Sequence, residues 1–321
     1  MTSGDPSSAP RGSSRAASTV KVLFASRSEK PEDWLPRLQQ ALPEEEFLLA
    51  TEEPPDVALV ANPPPGTLEK LGNARLIQSL WMGVEKLLAD PALPRHVPLA
   101  RLVDPGMVAA MSEIVLAHVL DWHRHLYLYR YHQAHATWRQ LEQKLASDRT
   151  IGILGLGELG TDAARKLVAL GFKVAGYSRR PKAIEGVRRV THLQLLLEQT
   201  DALVCLLPLT PQTRGILNGE NLKRLRQGGC VINLARGGHV VTAELIAALD
   251  SGHLARAYLD VFDEEPLPED SPLWRHPGVS ITPHVAALTE PRTAVPVIVE
   301  NIERVRRGQA PLHLVDREVG Y

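Results

Sequence analysis

Residues 150–160 read TIGILGLGELG, an apolar strand that breaks into Gly155, Gly157 and Gly160 and opens the helical run ELGTDAARKLVALG. Few local patterns restrict a fold as strongly. In this spacing the first glycine makes a tight turn, the second lets backbone approach a pyrophosphate, and the third lets the helix pack closely on the strand. The amides around Glu158 and Leu159 then point at an anion, where the helix N-terminus favours negative charge. The hexapeptide alone is weak evidence, since a glycine turn can be purely structural. A strand before it, a helix after it and a second strand ending near residue 178 together make a βαβ unit of the length that binds dinucleotides.

The end of that second strand, VAGYSRRPK (174–182), lacks the acid that would bind a ribose 2′-hydroxyl. Ser178 can donate to a phosphate oxygen instead, and Arg179 or Arg180 can neutralise its charge through a planar fork. Position after the strand, more than charge alone, favours NADP(H) as the cofactor, with NAD(H) as the alternative; a solvated basic turn is the bland reading of the same residues.

Around this unit the chain alternates apolar runs with helical spacing. VKVLFAS (20–26), DVALVAN (56–62) and ARLIQSL (74–80) read as strands, PEDWLPRLQQAL and TLEKLG as helices. MVAAMSEIVLAHVLDWHRHLYLYRYHQ (107–133) has neither Gly nor Pro and reads as one long helix, rich in aromatics and histidines, suited to a packing arm or subunit contact. A second series of strands, KVAGYSR, DALVCLLP, CVINLAR, ARAYLDVF and VSITPH, is nearly continuous in apolar residues, which indicates a parallel sheet covered on both faces. PRTAVPVIVENIERVRRG reads as a last helix, free to return to the first unit.

A length of 321 residues suits about two domains. The 36 basic residues offset 37 acidic ones, so no global field steers the chain to nucleic acid or an anionic membrane surface. No uninterrupted apolar stretch reaches the roughly 18 residues of a membrane helix. Cys205 and Cys230 each sit in an apolar run without a CxxC partner, which reads as buried reduced thiols; no metal is expected. The start, MTSGDPSSAPRGSSRAAS, reads as a disordered tail over residues 1–18, its acid and prolines arguing against a transit peptide.

Three strand ends carry candidate chemistry: Arg236 in INLARGG, Asp260 with Glu264 and Glu265 in LDVFDEEPLP, and His284 in ITPHVAA. In an open parallel sheet such ends face the ligand crevice. Each alone could be an ordinary surface group. Together they supply what hydride transfer to a ketone needs. A guanidinium (Arg236) holds a carboxylate and polarises the carbonyl, an imidazolium (His284) protonates the developing alkoxide, and a carboxylate (Glu265) keeps that imidazole protonated.

The motifs GILGLGELG, LLPLTPQTRGIL, VINLARGG, LDVFDEEPLP, SPLWRHP and ITPHVAA resemble the D-isomer-specific 2-hydroxyacid dehydrogenase family. PHVAALTEP with VDREVGY resembles its glyoxylate/hydroxypyruvate reductase A branch, and the similarity covers residues 19–321. The resemblance implies an α/β protein of two doubly wound parallel-sheet domains with a cleft between them. A flavodoxin-like substrate domain would comprise residues 19–108 and 285–321. A Rossmann coenzyme domain would comprise 109–284, with a dimerisation arm over 109–145 and a homodimer built on it. It implies that Arg236, Glu265 and His284 are catalytic, and that Asp260 contacts the nicotinamide carboxamide. It implies that Leu207, Pro208, Leu234 and Ala235 line the cofactor beside Gly155, Gly157, Glu158, Leu159 and Gly160. SLWMGVEKL matches the substrate loop, with the amides of Met82 and Gly83 on the substrate carboxylate. Trp81 and Met82 depart from the small residues usual there, and their bulk either narrows the pocket or packs. Trp138 either reaches the partner's active site or is buried in the interface. The function implied is NADPH-dependent reduction of short 2-oxo acids, glyoxylate to glycolate and hydroxypyruvate to D-glycerate, in the cytoplasm. The alternatives are a bulkier 2-oxo acid and a nucleotide-sensing, corepressor-like binding protein.

Overall fold

The computed structural model describes residues 19–179 and 182–320, so the expected tail and Arg180 lie outside the described residues. Its strands form two sheets in which every neighbouring pair is parallel. The first comprises β1 (Lys21–Ser26), β2 (Glu46–Leu48), β3 (Val57–Ala61), β4 (Leu76–Ser79) and β5 (Leu99–Ala100) in the order β2-β1-β3-β4-β5. The second comprises β6 (Thr150–Leu154), β7 (Lys173–Tyr177), β8 (Val187–Val190), β9 (Ala202–Cys205), β10 (Gly229–Asn233), β11 (Leu254–Leu259) and β12 (Val279–Ile281), ordered β12-β11-β10-β9-β6-β7-β8. The first order is flavodoxin-like and the second is that of a Rossmann sheet with one extra strand. Strand order reverses between β1 and β3, and between β6 and β9, and a crevice opens at such points.

The helices, in chain order, are α1 (Pro31–Ala41), α2 (Glu85–Ala89), α3 (Pro105–His123), α4 (Leu126–Ala134), α5 (Glu158–Ala169), α6 (Leu193–Leu197), α7 (Gly219–Leu222), α8 (Thr242–Asp250) and α9 (Pro291–Arg306). The period-2 alternation of a strand divides the second sheet's core between its two faces. Ile151, Ile153, Val204 and Ile232 join a cluster with Val115 and Val119 of α3 and Ala163 and Leu167 of α5. Leu203, Cys205, Val231 and Leu259 join the opposite one with Leu196, Leu222 and Leu245. A continuous apolar strand is thereby buried twice over, which is why those runs lack polar alternation.

The last helix returns to the first sheet. Ala294, Val295, Ile298, Ile302 and Val305 make one apolar face of α9, packed with Trp34 and Leu38 of α1 over Val22, Phe24, Val57 and Leu59. Asn301 is wholly buried, yet its amide is satisfied: Nδ2 donates to Gln78 Oε1 at 2.7 Å and Oδ1 accepts from Leu312 N at 2.6 Å.

Local expectations were overturned in two places. The single helix expected over 107–133 is two, α3 and α4, separated where His125 adopts φ 57°. Trp122 ends α3 beneath the Arg149 guanidinium, 4.5 Å from its ring centroid, and His123 meets Phe172 edge-on. Just beyond, Tyr127 lies 4.9 Å under Arg256. The chain turns between these anchors, whose burial outweighs the roughly 1–2 kcal/mol of one left-handed residue. The helix expected in TLEKLG is a single 3-10 turn, Leu68–Leu71. Ile298 is fully buried in the α1–α9 cluster. Ile298→Ala should therefore lower unfolding free energy by about 2–5 kcal/mol, read from the urea midpoint; a loss of a few tenths would place α9 outside the core.

Candidate active site

The glycine loop joins β6 to α5 at the reversal point of the second sheet. Gly155 has φ 99°, and a Cβ there would come within 2.7 Å of Leu206 O, because the loop after β9 passes directly beside it. At Gly160 a Cβ would collide with Gly155 O, so the helix can approach the strand only without a side chain. Gly157 is different: it caps α5, and a Cβ there would meet nothing within 4 Å. Open space beside the first amides of a helix, including those of Glu158 and Leu159, suits a dinucleotide pyrophosphate.

Ser178 follows the end of β7 as a half-buried residue and Arg179 is exposed. Lys182, across the turn, pairs with Glu158 at 3.8 Å. Leu207 and Pro208 follow β9, half-buried, and Leu234 and Ala235 follow β10, buried, so these loops flank the glycine turn from neighbouring strands.

Arg236 ends the β10 loop and crosses to the first-sheet unit. Its Nε lies 3.2 Å from Glu85 Oε1, Nη2 donates to Glu85 Oε2 at 3.2 Å, and Nη1 donates to Ala235 O at 2.6 Å. Gly83 is pressed so closely against the guanidinium that any Cβ would overlap Nη2. Two buried side chains brace the arginine's backbone. Asn233 Nδ2 donates to Arg236 O at 2.9 Å, while His239 lies with Nδ1 3.1 Å from Arg236 O and Nε2 3.3 Å from Pro208 O. Burial pushes the His239 imidazole toward its neutral form, against the pull of those two carbonyls, and a neutral ring donates to one of them.

His284 lies just past β12 in a left-handed conformation, φ 54°. Its Nδ1 is 2.7 Å from Glu265 Oε2, and Glu265 Oε1 accepts from Phe262 N at 2.9 Å, which fixes the carboxylate. With Nδ1 engaged, the other ring nitrogen is left for chemistry. Asp260 explains the unusual backbone. Buried to 1% exposure, it accepts from Thr282 Oγ1 at 2.6 Å, Val285 N at 2.9 Å and Ala286 N at 3.0 Å, and its carbonyl accepts from His284 N at 2.8 Å. The Asp260 side chain thus holds the loop that presents the histidine.

The two bulky residues of the substrate loop divide. Trp81 packs against the α1–α9 cluster, and its indole Nε1 donates to Glu29 Oε1 at 2.8 Å; Glu29 Oε2 accepts from Trp34 Nε1 at 3.2 Å. One carboxylate thus ties both indoles, and the Trp81 ring serves as an anchor. Met82 beside it is half-buried. Trp138 stands apart from this cluster, 95% exposed beyond α4, lining a surface cavity of about 550 Å³ with Tyr129, His132 and Thr137.

Sequence reasoning missed Glu85, His239, Asn233 and Glu29. Glu85 lay inside the quoted loop, but its partner Arg236 comes from the other sheet; His239 meets Arg236 O locally, while its second partner, Pro208 O, comes from the loop after β9. Among the described residues no cluster of three or more His, Cys, Asp or Glu could hold a metal ion.

Residues 116–286 match the model of the D-isomer specific 2-hydroxyacid dehydrogenase NAD binding domain. The glyoxylate/hydroxypyruvate reductase A of Serratia proteamaculans is 41% identical over 313 residues, spanning 94% of this chain and 100% of that protein. A D-isomer specific 2-hydroxyacid dehydrogenase from Xanthobacter autotrophicus Py2, solved with NADPH and MES, superposes with a TM-score of 0.91 at 41% identity, covering 95% of this chain and 100% of that one. An NADPH-dependent glyoxylate/hydroxypyruvate reductase from Sinorhizobium meliloti, solved with NADP and sulfate, has a TM-score of 0.88 at 38% identity over 94% and 100% of the two chains.

The unequal surroundings of the glycines make a test. Gly157→Ala should leave stability within about 0.5 kcal/mol while weakening dinucleotide binding, because the methyl group fills space meant for a phosphate. Gly160→Ala should cost about 1–3 kcal/mol of stability through overpacking. Calorimetry with a nucleotide titration separates them, and equal stability losses would contradict the assignment.

Proposed function

The chain belongs to the D-isomer specific 2-hydroxyacid dehydrogenase family, and on that footing we propose that it reduces short 2-oxo acids, glyoxylate and hydroxypyruvate first, with NADPH. The observation that carries the reading is the facing of Arg236 by the Met82–Gly83 loop of one sheet and of His284 by Glu265 at strand ends of the other. NADPH, when bound, supplies the hydride. Residues 155–160, 207–208 and 234–235 would hold it, with Ser178 and Arg179 as the groups that would meet the 2′-phosphate. Arg236 grips the substrate carboxylate and polarises its carbonyl, and the amides of Met82 and Gly83 complete the carboxylate's cradle. His284, oriented by Glu265, gives its proton to the carbonyl oxygen as negative charge develops there.

The division of labour follows the two sheets, with residues 19–108 and 285–321 as the substrate side and 109–284 as the coenzyme side, a reading supported by the packing of α9 on the first sheet. The arm over 109–145 joins two copies of the chain, a reading supported by the exposed Leu126, Tyr131 and Trp138; Trp138 then borders the partner's site. The free thiols of Cys205 and Cys230 fit the reducing cytoplasm, where we place the protein. Burial raises the Cys205 thiol to about 12.

Initial rates with NADPH and NADH across 2-oxo acids of increasing size test the reading; no turnover of glyoxylate or hydroxypyruvate overturns it. Arg179→Ala should weaken NADPH binding about ten- to hundredfold, the value of a charge-assisted contact, and leave NADH affinity nearly unchanged. Ser178→Asp should favour NADH by repelling the phosphate. Equal weakening for both coenzymes would mark the arginine as an ordinary surface residue.

Glu265 Oε2 lies 2.7 Å from His284 Nδ1 and so fixes the ring. Glu265→Gln should therefore lower kcat/KM for reduction about 10- to 100-fold by loosening the aim of the imidazole. Unchanged kinetics would break the pairing. His284→Ala should lower kcat about 10²–10⁴-fold in stopped-flow or steady-state assays.

A further inference from the structure

Glu85 opens α2, two residues beyond Gly83, and belongs to the first-sheet unit. Its partner Arg236 belongs to the second, so the ion pair spans the space between the two. A guanidinium carries five N–H groups in a rigid fork. Glu85 takes the side edge, with Oε1 3.2 Å from Nε and Oε2 accepting from Nη2 at 3.2 Å, and Ala235 O takes one proton of Nη1. Nη1 and Nη2 together form the end edge of the fork, the edge that can grip a carboxylate or carbonyl bidentately.

We propose that Glu85 is the positioning residue for Arg236: it fixes the side edge of the guanidinium so that the free end is presented to the 2-oxo acid. The inference rests on the proposed reductase reading, which makes Arg236 the substrate-gripping group. Both side chains of the pair are about one-third exposed, so solvent screens its contribution to folding. Its effect belongs to aim rather than stability. Glu85 could instead compete with the substrate carboxylate for the same arginine, and that role has the opposite sign in KM.

The test compares wild type, Glu85→Gln, Glu85→Asp, Arg236→Lys and the Glu85→Gln/Arg236→Lys double variant at saturating NADPH. Glu85→Gln should lower kcat/KM for glyoxylate about 10- to 100-fold, the scale of a misaimed binding group. NADPH affinity and melting temperature should stay as in wild type, and Glu85→Asp, which keeps the charge, should recover part of the loss. In the Arg236→Lys background, where no fork remains to aim, Glu85→Gln should cost nothing further. A lower KM in Glu85→Gln would make Glu85 a competitor, and equal losses in both backgrounds would make it a general charge effect; either overturns the proposal. Binding of oxamate, an unreducible analogue, to the NADPH complex is followed in parallel by nucleotide fluorescence. Should wild type fail to turn over glyoxylate or hydroxypyruvate, the reductase reading falls, while weaker oxamate binding by Glu85→Gln still supports the clamp and unchanged binding removes it.

Discussion

Every strand of both sheets runs parallel to its neighbours, and the rest of the structure follows from that arrangement. Parallel strands need long crossovers, so helices cover both faces and the strands become apolar throughout. All carboxyl ends of one sheet then emerge along one edge, where the ladder no longer pairs the backbone. In the second sheet those ends carry the Gly155 turn after β6, Ser178 after β7, Leu207 after β9, Arg236 after β10, Asp260 after β11 and His284 after β12. In the first they carry Glu29 after β1 and the Trp81–Gly83 loop after β4. The Arg236–Glu85 pair joins the two edges.

Loops at strand ends are inherently free to move, and this protein restrains them with polar groups, three of which, Asp260, Asn233 and His239, are buried. Asp260 spends its carboxylate on Thr282 and two amides that follow His284. Asn233 and His239 hold the carbonyl of Arg236, and Glu29 holds the indole of Trp81. Leaving such a buried group unpaired costs about 1–3 kcal/mol, so each brace selects one loop conformation over its neighbours. His284 shows the result: a non-glycine residue held at φ 54° with its ring against Glu265.

Much of this was legible before any coordinates. The glycine spacing after an apolar strand indicated the turn and its helix, since only backbone without side chains satisfies the contacts now seen at Gly155 and Gly160. Arg236, Glu265 and His284 stood out because charged residues terminate otherwise apolar strands. Less was legible where elements are short or mixed in character. β5 is two residues long, and β8 reads VRRV, with two arginines in four positions. The break at His125 carries no glycine or proline, being imposed by Trp122 and Tyr127 reaching separate partners. For Trp81 the sequence left packing and narrowing of the pocket open, and only the structure showed that Glu29 binds its indole.

The sequence by itself determined the parallel α/β architecture, the dinucleotide turn and the residue types at the strand ends, because these depend on local sterics and on hydrophobic period. Tertiary structure decided which of those residues meet. Glu85 and Arg236 are 151 positions apart, and Glu29 and Trp81 are 52 apart. No local preference encodes such a pairing; it exists only once two sheets, each with its own core clusters, bring their carboxyl edges face to face.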